Sequence, residues 1–284
     1  MRINNNITAV NSHRQYGINA GRLGRNVERL SSGLRVNRAA DDAAGLAISE
    51  KMRTQIRGLN QASRNSQDGI SLVQTAEGAM QSAHSIMQRM RELAVQSANG
   101  TNDGDFDQDA GWQAGGVDRA AIDLEFQQLS LELEQIEATV KFNGMTVFGN
   151  GTTDENYEGL FTLQSGANSG DITTFLVGRL NTVGEENVRT MATASAAIAA
   201  LDVAINSLSM ARAQLGAVQN RLEFKIQNLD NSAENLQAAE SRIRDADMAQ
   251  LMTTFTRDNI LFQASTAMLA QANALPQGVL QLLG

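Results

Sequence analysis

An alternation of apolar or small residues at spacings of three and four, the seam of a coiled coil, constrains this chain more than any other feature. The first row reads Leu59, Ala62, Ser66, Gly69, Val73, Ala76, Met80, Ala83, Met87, Met90 and Ala94, and its small members let a neighbouring helix come close. A second row is Ile122, Phe126, Leu129, Leu133, Ile136 and Val140. The third runs from Ile198 through Leu201, Leu208, Leu215, Leu222 and Leu229 to Leu236. Arg212 and Gln219 interrupt that third seam, as polar residues that fix register do. At 1.5 Å per residue the first and third rows each extend about 55 Å. Three matched seams predict a mainly α fold, an elongated rod of long coiled-coil helices.

Composition points the same way. Of 284 residues one is proline, Pro276, and 4% are aromatic, which favours long helices over a thick aromatic core. The net charge of −8, with no basic run, argues against nucleic acid as a partner. Zero cysteines remove disulfides, thiolate metal sites and thiol nucleophiles together. The start "MRINNNITAVNSHRQ" has no apolar core of a cleaved signal, and no 18 apolar residues run together. The expectation is no membrane insertion, in a chain that is cytoplasmic or exported by a route reading no ordinary signal.

The stretch "SANGTNDGDFDQDAGWQAGG" reads as a loop between the first two helices. "KFNGMTVFGNGTTDENYEGLFTLQSGANSGDITTFLV", with its turn signals and β-branched residues, predicts a hairpin or small β patch at about residues 141–183. At the N-terminus Ile3, Ile7 and Val10 start a seam that continues through Arg14, Gly17, Gly21 and Gly24, then shifts to Val27, Leu30 and Leu34. Each interior glycine costs a helix about 1 kcal/mol relative to alanine, so this segment is a weak helix alone. The C-terminal segment places Ile260, Leu261, Ala264, Met268 and Leu275 on one face. Ends that are weak alone imply ordering against partners, with these residues as the contacts.

Sites for chemistry are scarce. His13 and His84 sit on different helices with no ligand spacing. Asp103, Asp105, Asp107 and Asp109 imitate a calcium loop that then fails, with Gln108 and Ala114 where Gly and Glu are required. Glu125, Glu132, Glu134 and Glu137 read as the charged outer face of the second helix. No phosphate-binding glycine loop follows a strand. Asp41 and Asp42 stand ahead of "AAGLAISEKM", where an acid caps a helix or ties to Arg35 or Arg38. The expectation is a non-enzyme with no metal and no cofactor.

"LSSGLRVNRAADDAAGLAISEKMRTQIRGL" (30–59), "NSQDGISLVQTAEGAM" (65–80), "QRMRELAVQSANG" (88–100), "ESRIRDADMA" (240–249) and "MLAQANALPQGVLQLL" (268–283) closely resemble bacterial flagellin. The resemblance implies that residues 1–40 and 240–284 pair as an inner coiled-coil terminal domain, with a connector at about 31–45. Arg35, Asn37 and Arg38 would lie in that connector, with Asp41 and Asp42 opening the rod helix. Residues 41–239 would form a helical rod carrying the hairpin. About 45 residues separate Gly144 from Met191, too few for outer domains as well.

It also implies a structural role: a homo-oligomeric, extracellular flagellar filament for swimming, exported by the flagellar secretion system without signal cleavage. Implied partners are an export chaperone on the C-terminal segment and the flagellar cap and hook-junction proteins. Vertebrate innate immune receptors are implied at Arg89, Leu93 and Glu125 and at the tail residues Val279, Leu280, Leu282 and Leu283.

Overall fold

The computed structural model describes residues 6–102, 106–107, 111–112, 117–149, 159–180 and 187–283, with the backbone alone at 102, 106–107, 111–112, 117 and 275–283. The helices are α1 (Ile7–Ser32), α2 (Ala43–Ser97), α3 (Val117–Thr139), α4 (Met191–Arg244) and α5 (Met248–Leu283). The strands are β1 (Phe106–Asp107), β2 (Gly111–Trp112), β3 (Lys141–Phe142), β4 (Met145–Thr146), β5 (Leu160–Gln164) and β6 (Ile172–Leu176). Contacts divide the chain into two compact units, Met1–Ile56 with Ala233–Gly284, and Arg57–Ser232; both divisions fall inside helices, in α2 and α4.

In the middle unit the three seams build one core. Every position of the first row from Ala62 to Ala94 is buried. Ile122, Phe126 and Leu133 of α3 join it, as do Leu201, Leu208 and Leu215 of α4, and Leu222 is buried further along α4. α2 and α4 run antiparallel, tied by Arg91 Nε to Asp202 Oδ1 (2.6 Å) and Ser63 Oγ to Asp230 Oδ1 (3.1 Å). Arg212, which breaks the third seam, is turned to Glu77 at 3.6 Å. The carboxylate of Asp123 is fully buried and accepts from Val188 N (2.9 Å) and Arg189 Nε (2.8 Å), which fixes the segment entering α4.

β5 and β6 form the expected antiparallel hairpin, in register from Leu160↔Leu176 to Gln164↔Ile172, with the Phe161 and Phe175 rings 5.7 Å apart. Its seat on α2 explains one glycine: a Cβ on Gly69 would lie 2.2 Å from Leu163 Cδ1. β3 and β4 make a second, two-residue pair around Asn143 and Gly144, both at positive φ. The stretch after α2, expected as loop alone, carries a third pair with Phe106 opposite Trp112. Phe106 and Trp112, aromatic residues of high β propensity, supply the cross-strand pair of this short ladder. The acids Asp103, Asp105 and Asp109 lie outside the described residues.

α4 contains an 18-residue window of mean hydropathy 1.4, apolar enough by length and composition to cross a membrane. Alanines raise that value. Ala194 and Ala197, with the seam members Leu201 and Leu208, are nonetheless buried in the unit's own core.

In the terminal unit α1 and α5 pair antiparallel. The row facing α5 is Ala9, Ser12, Tyr16, Asn19, Leu23, Asn26 and Leu30, all buried or half-buried. The row beginning at Ile7 and Val10 is offset from it by two residues, about 200° around the helix, and points away, with Ile7 67% and Val10 68% exposed. The pairing row is polar in places. Asn26 Nδ2 donates to Asp258 Oδ2 (2.7 Å), Asn19 Nδ2 reaches the Leu261 carbonyl and Ser265 Oγ (both 3.4 Å), and the Tyr16 and Phe262 rings sit 5.1 Å apart.

Candidate functional site

Two features of the terminal unit bear on function: the connector between α1 and α2, and the outward faces of α1 and α5. The connector begins where Gly33, at φ 70°, ends α1 and donates to the Arg29 carbonyl (2.8 Å). Glycine takes that left-handed conformation without strain. The chain then runs beside the α4–α5 link: Leu34 bridges Asp245, Arg35 N donates to Arg244 O (2.7 Å), and Ala246 N donates to Gly33 O (3.0 Å). Val36 is buried.

The two adjacent acids divide the work. Asp42 is the cap of α2, its Oδ1 accepting from Gly45 N at 2.8 Å. Asp41 closes the connector: Oδ2 accepts from Arg38 N (3.1 Å) and Asn37 N (3.3 Å), and Oδ1 takes Arg29 Nη2 (3.0 Å). The backbone N–H of Arg38 leads the causes that hold its carboxyl below the usual range; desolvation opposes it, and Arg29 and the Asn37 N–H add to the lowering. The side-chain tie thus goes to Arg29, where Arg35 or Arg38 was expected. Arg35 instead donates to the Ile243 carbonyl, and Arg38 Nε to Glu28 Oε1 (2.7 Å), which also accepts from Asn37 Nδ2 (2.9 Å). Both long side chains are committed elsewhere because Glu28 and the end of α4 lie within their reach.

Sequence reasoning missed two further ties. Arg244, only 9% exposed, bonds Glu50 (2.7 Å), and Arg53 bonds Glu240 (3.2 Å), so the start of α2 is clamped to the end of α4. Asn6 caps α1 through Oδ1, which accepts from Ala9 N (3.2 Å), while its Nδ2 donates to the Ala272 carbonyl (2.8 Å). That carbonyl needs a donor, because the residue four places on is Pro276, which has no N–H. The spacing from Ala272 to Pro276 is legible in sequence; the donor 266 residues away is not.

The apolar residues expected as contacts are outward-facing. Ile260 is 61%, Met268 62% and Leu261 41% exposed, and Val27 is 50% exposed. Ile260 and Leu261 line a groove with Met252, Thr256 and Arg257. Leu30 and Leu34 are half-buried within the unit, Leu30 on the pairing row. Ile3 lies outside the described residues, as do the side chains of Leu275, Val279, Leu280, Leu282 and Leu283.

In the middle unit Arg89 binds Glu125 through both Nε (3.0 Å) and Nη2 (2.9 Å), and Nη1 reaches Glu92 (3.1 Å). This pair is half-exposed. Leu93, grouped with it as a receptor contact, is 2% exposed; it belongs to the core, one residue from the seam position Ala94. His84 hydrogen-bonds Gln88 at 2.9 Å.

The chain matches the family described as the bacterial flagellin N-terminal helical region over residues 3–153 and the bacterial flagellin C-terminal helical region over residues 198–283. It is 55% identical over 289 residues to a flagellin of Halalkalibacterium halodurans and 47% identical over 314 residues to one of Bacillus subtilis, each comparison covering 100% of both chains. A solved structure of a putative flagellar hook-associated protein from Vibrio parahaemolyticus shares the fold, at TM-score 0.57 and 14% identity, over 72% of this chain and 100% of that one. With both helical regions matched and full-length identity to its relatives, this chain belongs to the bacterial flagellin family, whose members are structural subunits of the flagellar filament.

Proposed function

We propose that copies of this chain assemble into a flagellar filament through the outward faces of α1 and α5, with residues 1–40 and 240–284 as the inner coiled-coil domain and 41–239 as the rod. One observation carries the reading. The terminal coiled coil places Asn19, Asn26, Asp258 and Ser265 inside and leaves Ile7, Val10, Ile260 and Met268 outside. A pair meant to stand alone would bury the second set. Fully covering one such side chain is worth about 1.5–3 kcal/mol, so several per copy outweigh the ordering cost only when neighbouring copies cover them.

Ile7→Asp with Ile260→Asp should leave the monomer helical by circular dichroism and abolish sedimenting filaments. Normal tubes in electron micrographs of that variant would refute the reading. Short junction-like oligomers from the wild type would favour a hook-junction role instead.

The finer partners follow from family membership. An export chaperone would cover the C-terminal segment, which from Asn259 onward has no charged residue. The cap and hook-junction proteins would meet the ends of the polymer. Export in an unfolded state, without a cleaved signal, suits a chain with no cysteine and one proline. Innate immune receptors would read Arg89 and Glu125. In a receptor reporter-cell assay, Arg89→Ala should lose the response that the wild type gives, and a silent wild type would sink this assignment.

A further inference from the structure

We propose that Met252 and Met268 are sites of peroxide oxidation whose sulfoxides switch off self-assembly. The proposal rests on the outward faces of α1 and α5 being the assembly surface. With 11 methionines and no cysteine, the chain has thioethers as its only sulfur chemistry. The fold sorts them sharply. Met80, Met87 and Met90 are at most 1% exposed in the core of the middle unit, whereas Met252 is 51% exposed in the groove lined by Ile260 and Leu261, and Met268 is 62% exposed in a second cleft that Leu261 also lines. Packing thus shields the first set from oxidant and presents the second.

The step needs only a two-electron oxidant such as hydrogen peroxide. A sulfur lone pair attacks one peroxide oxygen, the O–O bond breaks and the S–O bond forms. The departing hydroxide takes the proton from the oxygen now bound to sulfur and leaves as water, so the thioether is oxidised by two electrons to the sulfoxide and the peroxide reduced. The product is a polar, chiral group with a strong acceptor oxygen, in place of a flexible apolar side chain. Each new oxygen has a donor at hand. Arg257 lines the same groove as Met252, and Arg14 and Arg22 lie in the cleft lined by Met268. A sulfoxide held there by its own chain's guanidinium stays wet, and a neighbouring copy could cover it only by stripping that bond.

The test exposes purified monomer to hydrogen peroxide, maps sulfoxides by peptide mass spectrometry, then induces polymerisation and measures sedimentable filament. We expect Met252 and Met268 to oxidise more than about tenfold faster than Met80, Met87 and Met90, in line with exposure, and filament yield to fall with their oxidation. Met252→Leu with Met268→Leu, a swap that conserves volume and apolarity, should assemble after the same treatment, although Met145, Met191, Met210 and Met248 remain exposed. Equal oxidation rates, full assembly of doubly oxidised protein, or equal loss in the leucine variant would each overturn the proposal. If the leucine variant does not assemble untreated, methionine sulfoxide reductase acting on oxidised wild type decides, and no recovery of filaments overturns it. Untreated wild type that forms no filaments would overturn the assembly reading and the switch with it, while the oxidation rates separately report whether the two sulfurs are reactive.

Discussion

At the scale of single residues, Asn6 and Asp41 each hold several backbone groups, and each does so for a reason the covalent chain dictates. Asn6 caps α1 and at the same time supplies the donor that Pro276 withholds from Ala272. Asn6→Ala should therefore cost about 1.5–5 kcal/mol, the sum of a lost cap and an orphaned carbonyl. In a Pro276→Ala background, where the helix supplies its own N–H, the same change should cost measurably less. Urea unfolding of the four proteins in that cycle checks it, and strict additivity would show that the carbonyl was never dependent on Asn6. Asp41 makes a pH-dependent contribution. Its carboxyl is held below the usual range, so the stability it adds is fully present above an ordinary carboxylate pKa of about 3.9 and is lost as pH falls through the lowered value. The stability difference between wild type and Asp41→Asn should be constant from pH 6 to near 4 and shrink below it. A difference that instead grew on acidification would contradict the geometry.

At the scale of elements, the rows in the middle of the chain were legible because burial there is intramolecular: one apolar seam, one core, and period decides both. The ends were legible only in part. The row of Ile7 and Val10 continues through Arg14, Gly17, Gly21 and Gly24, while α1 turns towards α5 a row that mixes Ala9, Tyr16, Leu23 and Leu30 with Ser12, Asn19 and Asn26. A rule that sends apolar residues inward misses a pairing row whose polar members hydrogen-bond across the pair, and the clue was the seven-residue spacing of Asn19 and Asn26. The division of labour between Asp41 and Asp42 was half legible: cap chemistry is local, whereas Arg29 reaches Asp41 only once the connector has folded back. The hairpin was visible in its turn signals, but its seat was not. Gly69 lies on the seam and looks like one more small residue, while its lack of a Cβ is what admits Leu163. Gly69→Val should unseat β5 and β6 from α2 and leave α2 helical. Hydrogen exchange should then rise across residues 160–176 with little change at Val73 to Met90; uniform destabilisation would mean that the glycine matters to the helix core instead.

At the scale of the whole molecule, charge is distributed unevenly between the two units. The terminal unit carries 12 basic and 9 acidic residues, net +3, and the middle unit 11 basic and 22 acidic, net −11. In the proposed assembly, copies side by side set acidic middle units against one another, and that repulsion opposes the proposed burial of the apolar faces of α1 and α5. The two terms respond differently to salt. Apolar burial changes little at moderate ionic strength, whereas the screening length falls from about 30 Å at 0.01 M to about 8 Å at 0.15 M. The critical monomer concentration should therefore drop several-fold between those conditions, read by sedimentation of filaments at equilibrium. Neutralising three exposed acids of the middle unit, Glu132, Glu134 and Asp118, should reproduce part of that drop at low salt. A critical concentration indifferent to both changes would place the barrier to assembly in the ordering of the terminal helices, because that cost is paid whatever the charge between neighbours.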